Sequence, residues 1–168
     1  MWASKEIKNN YDIVLAAVKQ NGDAINFASK EIKNNYDIVL AAVKQHGLLL
    51  QSASEELRNN FTIVMTAIKK NGQALRWASV KLKNNYDVTI TAVIKAGLEL
   101  KYTSDRLKNN KDVVMAAVRQ NGCALRFASE ELKNNEDVVM TAIKKCSYAL
   151  QYASMKLRGD YKIVLVAV

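Results

Sequence analysis

The apolar positions of this chain follow the spacing of one helix face, and the pattern recurs every 25 residues. In residues 38–43, apolar side chains stand at i, i+1, i+4 and i+5, which is one side of an α-helix. Recurrent alanine and the missing polar–apolar alternation argue against the alternative, a β-strand. Asn35 suits the N-cap, and Gly47 stands where a left-handed residue commonly ends a helix. The pattern therefore predicts a helix over Asn35–Gln45.

A shorter amphipathic segment follows each long one, as in Gln73–Lys83. Its apolar positions 74, 75, 78 and 82 also keep helical spacing, which predicts one helix of about ten residues, with or without a 3₁₀ end. A serine recurs in this segment, and two roles are open for it: a bond back to the carbonyl four residues earlier, or the cap of a short turn. The serines are Ser4, Ser29, Ser54, Ser79, Ser104, Ser129 and Ser154.

The copies follow one another without insertion or deletion, and the last is incomplete. Two short helices are marginal alone in water, so such units must stack to bury a continuous core. We therefore expect an all-α, right-handed α-solenoid of about six and a half two-helix repeats, forming a single array over residues 1–168. The copies start at Trp2, Phe27, Ser52, Trp77, Tyr102, Phe127 and Tyr152.

Composition fits a folded α-protein: 49% of the 168 residues are hydrophobic, 24% are charged and none is proline. Apolar runs such as Ile163–Val168 are far shorter than the roughly 20 residues that span a bilayer. The start of the chain lacks the pattern of a signal peptide. Cys123 and Cys146 occupy different repeat positions, which implies no disulfide framework and no row of metal ligands. We expect a cytoplasmic protein, or one delivered into a host cell without such a peptide, and no membrane partner.

The formal charge of +9 raises nucleic acid as a partner, but the positions of the cations argue for another role. Of the 25 basic residues, 15 stand near helix C-termini, where a cation compensates the macrodipole. One cation per repeat also matches poorly the DNA phosphates, which recur about every 3.4 Å along a strand. Seven of them end the shorter segment: Lys8, Lys33, Arg58, Lys83, Lys108, Lys133 and Arg158. Eight end the longer one: Lys19, Lys44, Lys69, Lys70, Lys95, Arg119, Lys144 and Lys145.

Differences between the copies concentrate at three positions of the shorter segment, spaced i, i+3 and i+7 and so expected on one helix face. The first set is Asp23, Leu48, Gln73, Leu98, Cys123 and Tyr148. The second is Asn26, Gln51, Arg76, Lys101, Arg126 and Gln151. The third is Lys5, Lys30, Glu55, Val80, Asp105, Glu130 and Met155. Acids, bases and apolar groups together suit a protein or peptide partner better than phosphates. The alternative is that these are unconstrained solvent positions.

From these sets we predict a recognition surface, which we define by ten residues: Gln73, Arg76, Val80, Lys101, Asp105, Arg126, Glu130, Tyr148, Gln151 and Met155.

Catalytic and metal chemistry have no pattern to support them. No histidine or other base recurs beside the repeated serines, and the only histidine, His46, is expected to cap a helix C-terminus. The Asn-Gly turns are too isolated to form a phosphate-binding loop. We therefore predict a protein that is not an enzyme and that has no cofactor and no metal.

The phrases in Asn121–Leu132 and Ala128–Lys145, with their Asn-Gly turn and Ala-Ser-Glu-Glu-Leu segment, resemble a known repeat family. The family is the domain-of-unknown-function 4116 repeats, and the resemblance covers essentially the whole chain. It departs from the family where Asn-Asn replaces Asn-Asp. The resemblance implies a helical array of microbial and protist proteins, some of them host-directed, and it transfers no activity and no site. Unit size is also similar to leucine-rich variant and other short α-solenoid repeats, and a designed array is the alternative to a natural one.

We therefore expect a non-catalytic repeat scaffold that binds a protein or peptide and belongs to a larger microbial or effector-like protein. Two alternatives stay open: binding of nucleic acid along the rows of cations, and a structural rod or filament that assembles head to tail through uncapped ends.

Overall fold

A computed structural model describes residues 4–167 of the chain, and within them every regular element is helical. Each of the first six copies contains a long α-helix of ten residues. The long helices are Tyr11–Gln20, Tyr36–Gln45, Phe61–Lys70, Tyr86–Lys95, Lys111–Gln120, Glu136–Lys145 and Tyr161–Ala167. The predicted all-α repeat architecture is thus confirmed. The predicted start of the first copy, Trp2, lies outside the described residues.

The predicted shorter helix is wrong, because two separate elements take its place. A 3₁₀ helix comes first: Gly22–Phe27, Gly47–Ser52, Gly72–Trp77, Gly97–Tyr102, Gly122–Phe127 and Ser147–Tyr152. A one-turn α-helix follows: Lys5–Lys8, Glu55–Arg58, Val80–Lys83, Asp105–Lys108, Glu130–Lys133 and Met155–Arg158, with the 3₁₀ turn Ile32–Asn34 in one copy. Between them lie two extended residues, as at Ala128 and Ser129, each with ψ 159°. These residues break the helix that the apolar spacing predicted.

The long helices begin as predicted. Asn35 is the N-cap, and its Oδ1 accepts a hydrogen bond from the amide of Ile38 at 3.2 Å. Asp160 replaces asparagine in the last copy and accepts in the same way from Ile163. His46 is the predicted C-cap of its long helix. Side-chain oxygens thus satisfy amides that a helix N-terminus leaves free.

The prediction that glycine ends the long helix in a left-handed conformation is wrong. Among the described residues none has a positive φ, and the residue that ends the first long helix, Asn21, is extended at φ −144°. Glycine is required here by close approach instead. A Cβ on Gly47 would lie 2.2 Å from the carbonyl oxygen of Ala67, and one on Gly122 would lie 2.2 Å from that of Ala142. The following repeat therefore packs directly on the glycine backbone.

The five long helices from Tyr36–Gln45 to Glu136–Lys145 bury the predicted face, as Val138, Val139, Ala142 and Ile143 show with at most 2% exposure. The first long helix leaves Ile13 of this face 48% exposed. The shorter segment adds four buried residues. The 3₁₀ helix supplies an alanine and a leucine, as at Ala124 and Leu125, the extended pair supplies Ala128, and the one-turn helix supplies Leu132. Three buried polar residues depart from this pattern: Thr89 and Glu99 in the fourth copy, and Thr103 at the start of the fifth. Most of the core is therefore aliphatic, and these polar residues lie in two adjacent copies.

The described chain forms two compact units, one ending at Leu82 and the other beginning at Lys83. Inside each unit, long helices pack on the long helices of adjacent copies, and 3₁₀ helices pack on 3₁₀ helices. The handedness of the solenoid stays a prediction. None of the helices in residues 4–167 combines the length and apolar character needed to cross a membrane.

The repeated serine joins adjacent copies within each unit. The amide of Ser79 donates to the carbonyl of Arg58 at 2.9 Å, and its hydroxyl donates to Oδ1 of Asn59 at 2.7 Å. The same hydroxyl accepts from the amide of Leu82 at 3.2 Å, so the serine also caps the one-turn helix. Of the two roles open from the sequence, capping is the one the structure shows.

Glutamine at the end of a long helix makes a second link between copies. Gln45 donates through Nε2 to the carbonyl of Val18 at 2.7 Å and accepts at Oε1 from the amide of Gly22 at 2.8 Å. Gln120 accepts from Gly97 at 2.7 Å in the second unit. These bonds satisfy backbone groups at the junction between a long helix and its 3₁₀ helix.

Candidate recognition surface

The first two variable sets lie on the 3₁₀ helices, at their second and fifth residues. A 3₁₀ helix has three residues per turn, so side chains three apart eclipse each other. Arg76 accordingly donates through Nε to the carbonyl of Gln73 at 3.3 Å and through Nη2 to its Oε1 at 3.4 Å. Gln151 donates to the carbonyl of Tyr148 at 3.1 Å. The structure therefore brings the first and second sets together.

The third set does not continue the same helix, so the predicted i, i+3, i+7 arrangement on one helix face is wrong. Its members, except Lys30, begin the one-turn helices beyond the extended break. They are strongly exposed, with Val80 at 84% and Met155 at 82%. In the first unit, a surface depression lined by Glu55, Val80 and Trp77 joins this set to the 3₁₀ helices. Arg58, Ala78 and Ser79 complete its walls.

Aromatic residues at the last position of the 3₁₀ helices connect the variable sets, and the sequence prediction omitted them. Lys101 places Nζ 4.5 Å from the ring centre of Tyr102. Arg126 places Cζ 4.9 Å from the ring of Phe127 and 5.8 Å from that of Tyr152 in the next copy. Such cation–π contacts fix the direction of long basic side chains. The signal available in the sequence was the recurring pair of a cation followed by an aromatic, at positions 76–77, 101–102 and 126–127.

In the second unit, the two acids of the recognition surface form ion pairs with two of the cations that end the shorter segment. Asp105 pairs with Lys108 at 3.1 Å, and Glu130 pairs with Lys133 at 2.8 Å. In the first unit, Lys33 donates to the carbonyl of Asn26 at 2.9 Å. Six of the seven cations that end the shorter segment are half-buried, Arg158 being the exception. Lys33, Lys108 and Lys133 thus make local contacts, while compensation of the helix macrodipole stays a prediction.

The ten predicted residues fall into two groups, one for each compact unit. Gln73, Arg76 and Val80 belong to the first unit. The other seven belong to the second: Lys101, Asp105, Arg126, Glu130, Tyr148, Gln151 and Met155. Arg76 is half-buried and the other nine are exposed. The mixture of acids, bases and apolar groups thus faces solvent.

Two carboxylates elsewhere have a perturbed pKa. A hydrogen bond and the charge of Lys111, 2.9 Å away on the preceding long helix, lower the pKa of Asp137. A backbone hydrogen bond, followed by a bond to Ser29, lowers the pKa of Glu31. Both carboxylates are therefore fully ionised at neutral pH, and their partners are neighbouring residues of the fold itself. Within the described part of the chain, no three His, Cys, Asp or Glu residues come close enough to hold a metal ion.

Stacked helical copies with a constant core and variable exposed positions define a helical repeat protein. The chain belongs to the family described as Domain of unknown function (DUF4116), whose model matches residues 1–33, 35–83, 85–133 and 135–168. Each of the two central matches spans about two copies of the 25-residue unit, so the family's own unit is a pair of copies. The resemblance expected from the sequence is thus confirmed. Neither the curated proteins nor the solved structures yield a match.

Proposed function

We propose that this chain is a non-catalytic scaffold that binds a protein or peptide through the recognition surface and the aromatic row beside it, which consists of Trp77, Tyr102, Phe127 and Tyr152. The observation that carries the proposal is the alignment of cations over aromatic rings next to exposed apolar side chains. Arg126 spans the rings of two copies, and Tyr148 and Met155 are 78% and 82% exposed. Arginine and aromatic residues are the types that dominate the energetics of protein interfaces.

The same contacts argue against nucleic acid as the partner. Lys108 and Lys133 form ion pairs with Asp105 and Glu130, respectively. The side chains of these two acids are almost fully exposed. A phosphate approaching these lysines would meet an acid from each repeat. Nucleic-acid binding generally rests on unpaired cations, whose released counterions make affinity fall steeply with salt.

The test is a peptide-display selection on the purified chain, followed by affinity measurements on variants. We expect Arg126→Ala/Tyr148→Ala/Met155→Ala to lower the affinity for selected peptides by about tenfold or more, because the anchors are removed. The matched control is Arg119→Ala/Lys144→Ala, which changes exposed residues on the long helices of the same unit. It should bind as the unmodified chain does. Far-UV circular dichroism should be unchanged in both variants.

Three outcomes would overturn the proposal. The selection yields no binders, or both variants lose affinity equally, or mixed DNA and RNA bind at low salt with affinity that falls steeply as salt rises. Head-to-tail self-association stays a prediction. Light scattering that shows a strict monomer at high protein concentration would exclude it.

A further inference from the structure

The two cysteines of the chain meet although they lie 23 residues apart. Cys123 is the second residue of the 3₁₀ helix Gly122–Phe127, and Cys146 ends the following long helix. Their Sγ atoms are 3.1 Å apart, and both residues are half-buried. A disulfide bond is about 2.05 Å long, so small side-chain rotations suffice to close it. The sequence did not indicate this pair, because neither cysteine recurs in another copy.

The repeat backbone itself creates this contact. In the first compact unit, Asp23 and His46 occupy the same two repeat positions, and Oδ2 lies 3.9 Å from Nδ1. An acid–histidine pair and a cysteine pair thus occupy equivalent sites in different units. Cys146 Cβ also lies 2.9 Å from the place that a Cβ on Gly122 would take, so the two loops are in direct contact. The repeat backbone therefore places these two positions next to each other.

Cys146 occupies this position at a structural cost. Asparagine at the equivalent positions caps the 3₁₀ helix: Asn21 accepts from the amide of Asp23 at 2.9 Å, and Asn71 from that of Gln73 at 2.9 Å. Cys146 makes no such cap bond. A thiol here weakens the local helix start and places a second sulfur against Cys123.

We propose that Cys123 and Cys146 form a redox-sensitive disulfide that cross-links two successive repeats of the second unit. The oxidant is a small disulfide such as oxidised glutathione. One cysteine thiolate attacks it, forms a mixed disulfide and releases one reduced glutathione. The second thiolate attacks the protein sulfur of the mixed disulfide and releases the other. Two electrons pass to the glutathione disulfide, and the two protons end on the two glutathione thiols.

The surroundings set how the exchange responds to pH. The hydrogen bond between Cys123 and Cys146, followed by burial, raises the pKa of the Cys123 thiol. The thiolate is the attacking species, so exchange through Cys123 accelerates as pH rises. The closed loop runs from residue 123 to residue 146 and contains a one-turn helix and a complete long helix. Cross-linking restricts the unfolded state of this segment.

The test equilibrates the full chain with glutathione at a series of oxidised-to-reduced ratios. We expect a monomer whose mass falls by about 2 Da and whose thiols no longer react with an alkylating reagent. Its Tm should rise by about 5–10 °C over that of the reduced chain. Both measurements use the unmodified protein, so they do not depend on a variant folding.

The variants Cys123→Ser and Cys146→Ser are the controls. Each should show neither the mass loss nor the rise in Tm, and should instead carry glutathione on the remaining cysteine. The proposal is overturned if the unmodified chain gives only glutathione adducts or intermolecular dimers. It is equally overturned if both thiols stay free in oxidised glutathione, or if the cross-link forms only in denaturant.

Discussion

Two of the hydrogen bonds that Ser129 makes join it to the preceding repeat. Its hydroxyl accepts from Leu132 at 3.2 Å, its amide donates to Lys108 of the preceding copy at 3.0 Å, and its hydroxyl donates to Asn109. The cap was one of two roles open from the sequence. The other two bonds were not foreseeable, because they join residues about 20 positions apart in sequence. They explain why serine recurs, and why the first asparagine of each Asn-Asn pair recurs with it.

We expect Ser129→Ala to lower the free energy of unfolding by about 1–2 kcal/mol, since it removes an N-cap and a bond between copies. Urea denaturation followed by circular dichroism measures the loss. Ser129→Thr keeps the hydroxyl and should recover most of the stability. A loss of the same size in both variants would mean that the hydroxyl bonds contribute little.

Glycine carries a different constraint at the residue scale. Gly47→Ala should cost at least about 2 kcal/mol, because its Cβ would lie 2.2 Å from a backbone oxygen that cannot rotate away. Gly159→Ala is the matched control, since its Cβ would meet no described atom closer than 3.7 Å. The control should change stability by no more than about 0.5 kcal/mol. Thermal unfolding of the two variants side by side distinguishes close approach from conformational freedom, and equal losses would contradict our account.

Among the elements, the long helices could be predicted from sequence and the shorter segment could not. Cap, apolar face and length agree at Asn35–Gln45, so local signals were sufficient. In the shorter segment, positions 74, 75, 78 and 82 are buried as their helical spacing suggested, with at most 6% exposure. Their backbone is nevertheless divided by an extended residue, Ala78, with ψ 155°. Apolar spacing reports which side chains are buried, and different backbone hydrogen bonding can produce the same burial.

The same limit applies to the recognition surface. Comparing copies identified its variable positions, because each is exposed to solvent except the half-buried Arg76. Apolar spacing did not place the aromatic row with them, although Arg126, over Phe127 and Tyr152, is one of the contacts that join one copy to the next. The contact between Arg126 and Tyr152 depends on how adjacent copies pack on each other, and the sequence of a single copy does not show that packing.

One ion pair joins two long helices and makes their contact pH-dependent. Lys111 lowers the pKa of Asp137 below its ordinary value of 3.8. Because the folded-state pKa is the lower one, the pair stabilises the fold above the unfolded-state pKa and is lost as pH falls through the folded-state value. We expect Lys111→Met to raise the pKa of Asp137 in an NMR titration. Lys145→Met removes an exposed lysine at the far end of the same long helix as Asp137 and should leave it unchanged; a shift in neither variant would contradict the ion pair.

At the scale of the whole molecule, charge balance decides the response to acid. The 16 carboxylates offset part of the charge of 25 Lys and Arg residues at neutral pH. As they become protonated, the net charge rises from +9 toward that of the cations alone, and self-repulsion then favours the unfolded chain.

Salt should therefore move the acid unfolding midpoint. We expect a lower midpoint pH at about 0.5 M salt than at about 0.01 M, because the Debye length shortens from about 30 Å to a few ångströms. Circular dichroism during acid titration at the two concentrations measures the difference. Identical midpoints would mean that local ion pairs, not the net charge, control acid stability.

The serine bond that joins one copy to the next also bears on how such a gene changes. The second to sixth copies each present the same acceptors on one side and the same donor on the other, as Ser79 and Ser129 do. Unequal recombination that duplicates or removes a whole 25-residue unit would therefore leave these hydrogen bonds between copies intact. An insertion or deletion of a few codons would shift the donor away from its acceptors and break them. Cys123 and Cys146 are the exception, since a unit duplicated between them would separate the two sulfur atoms. A gain or loss of copies is tolerated by the interfaces, while this one pair depends on the copies staying adjacent.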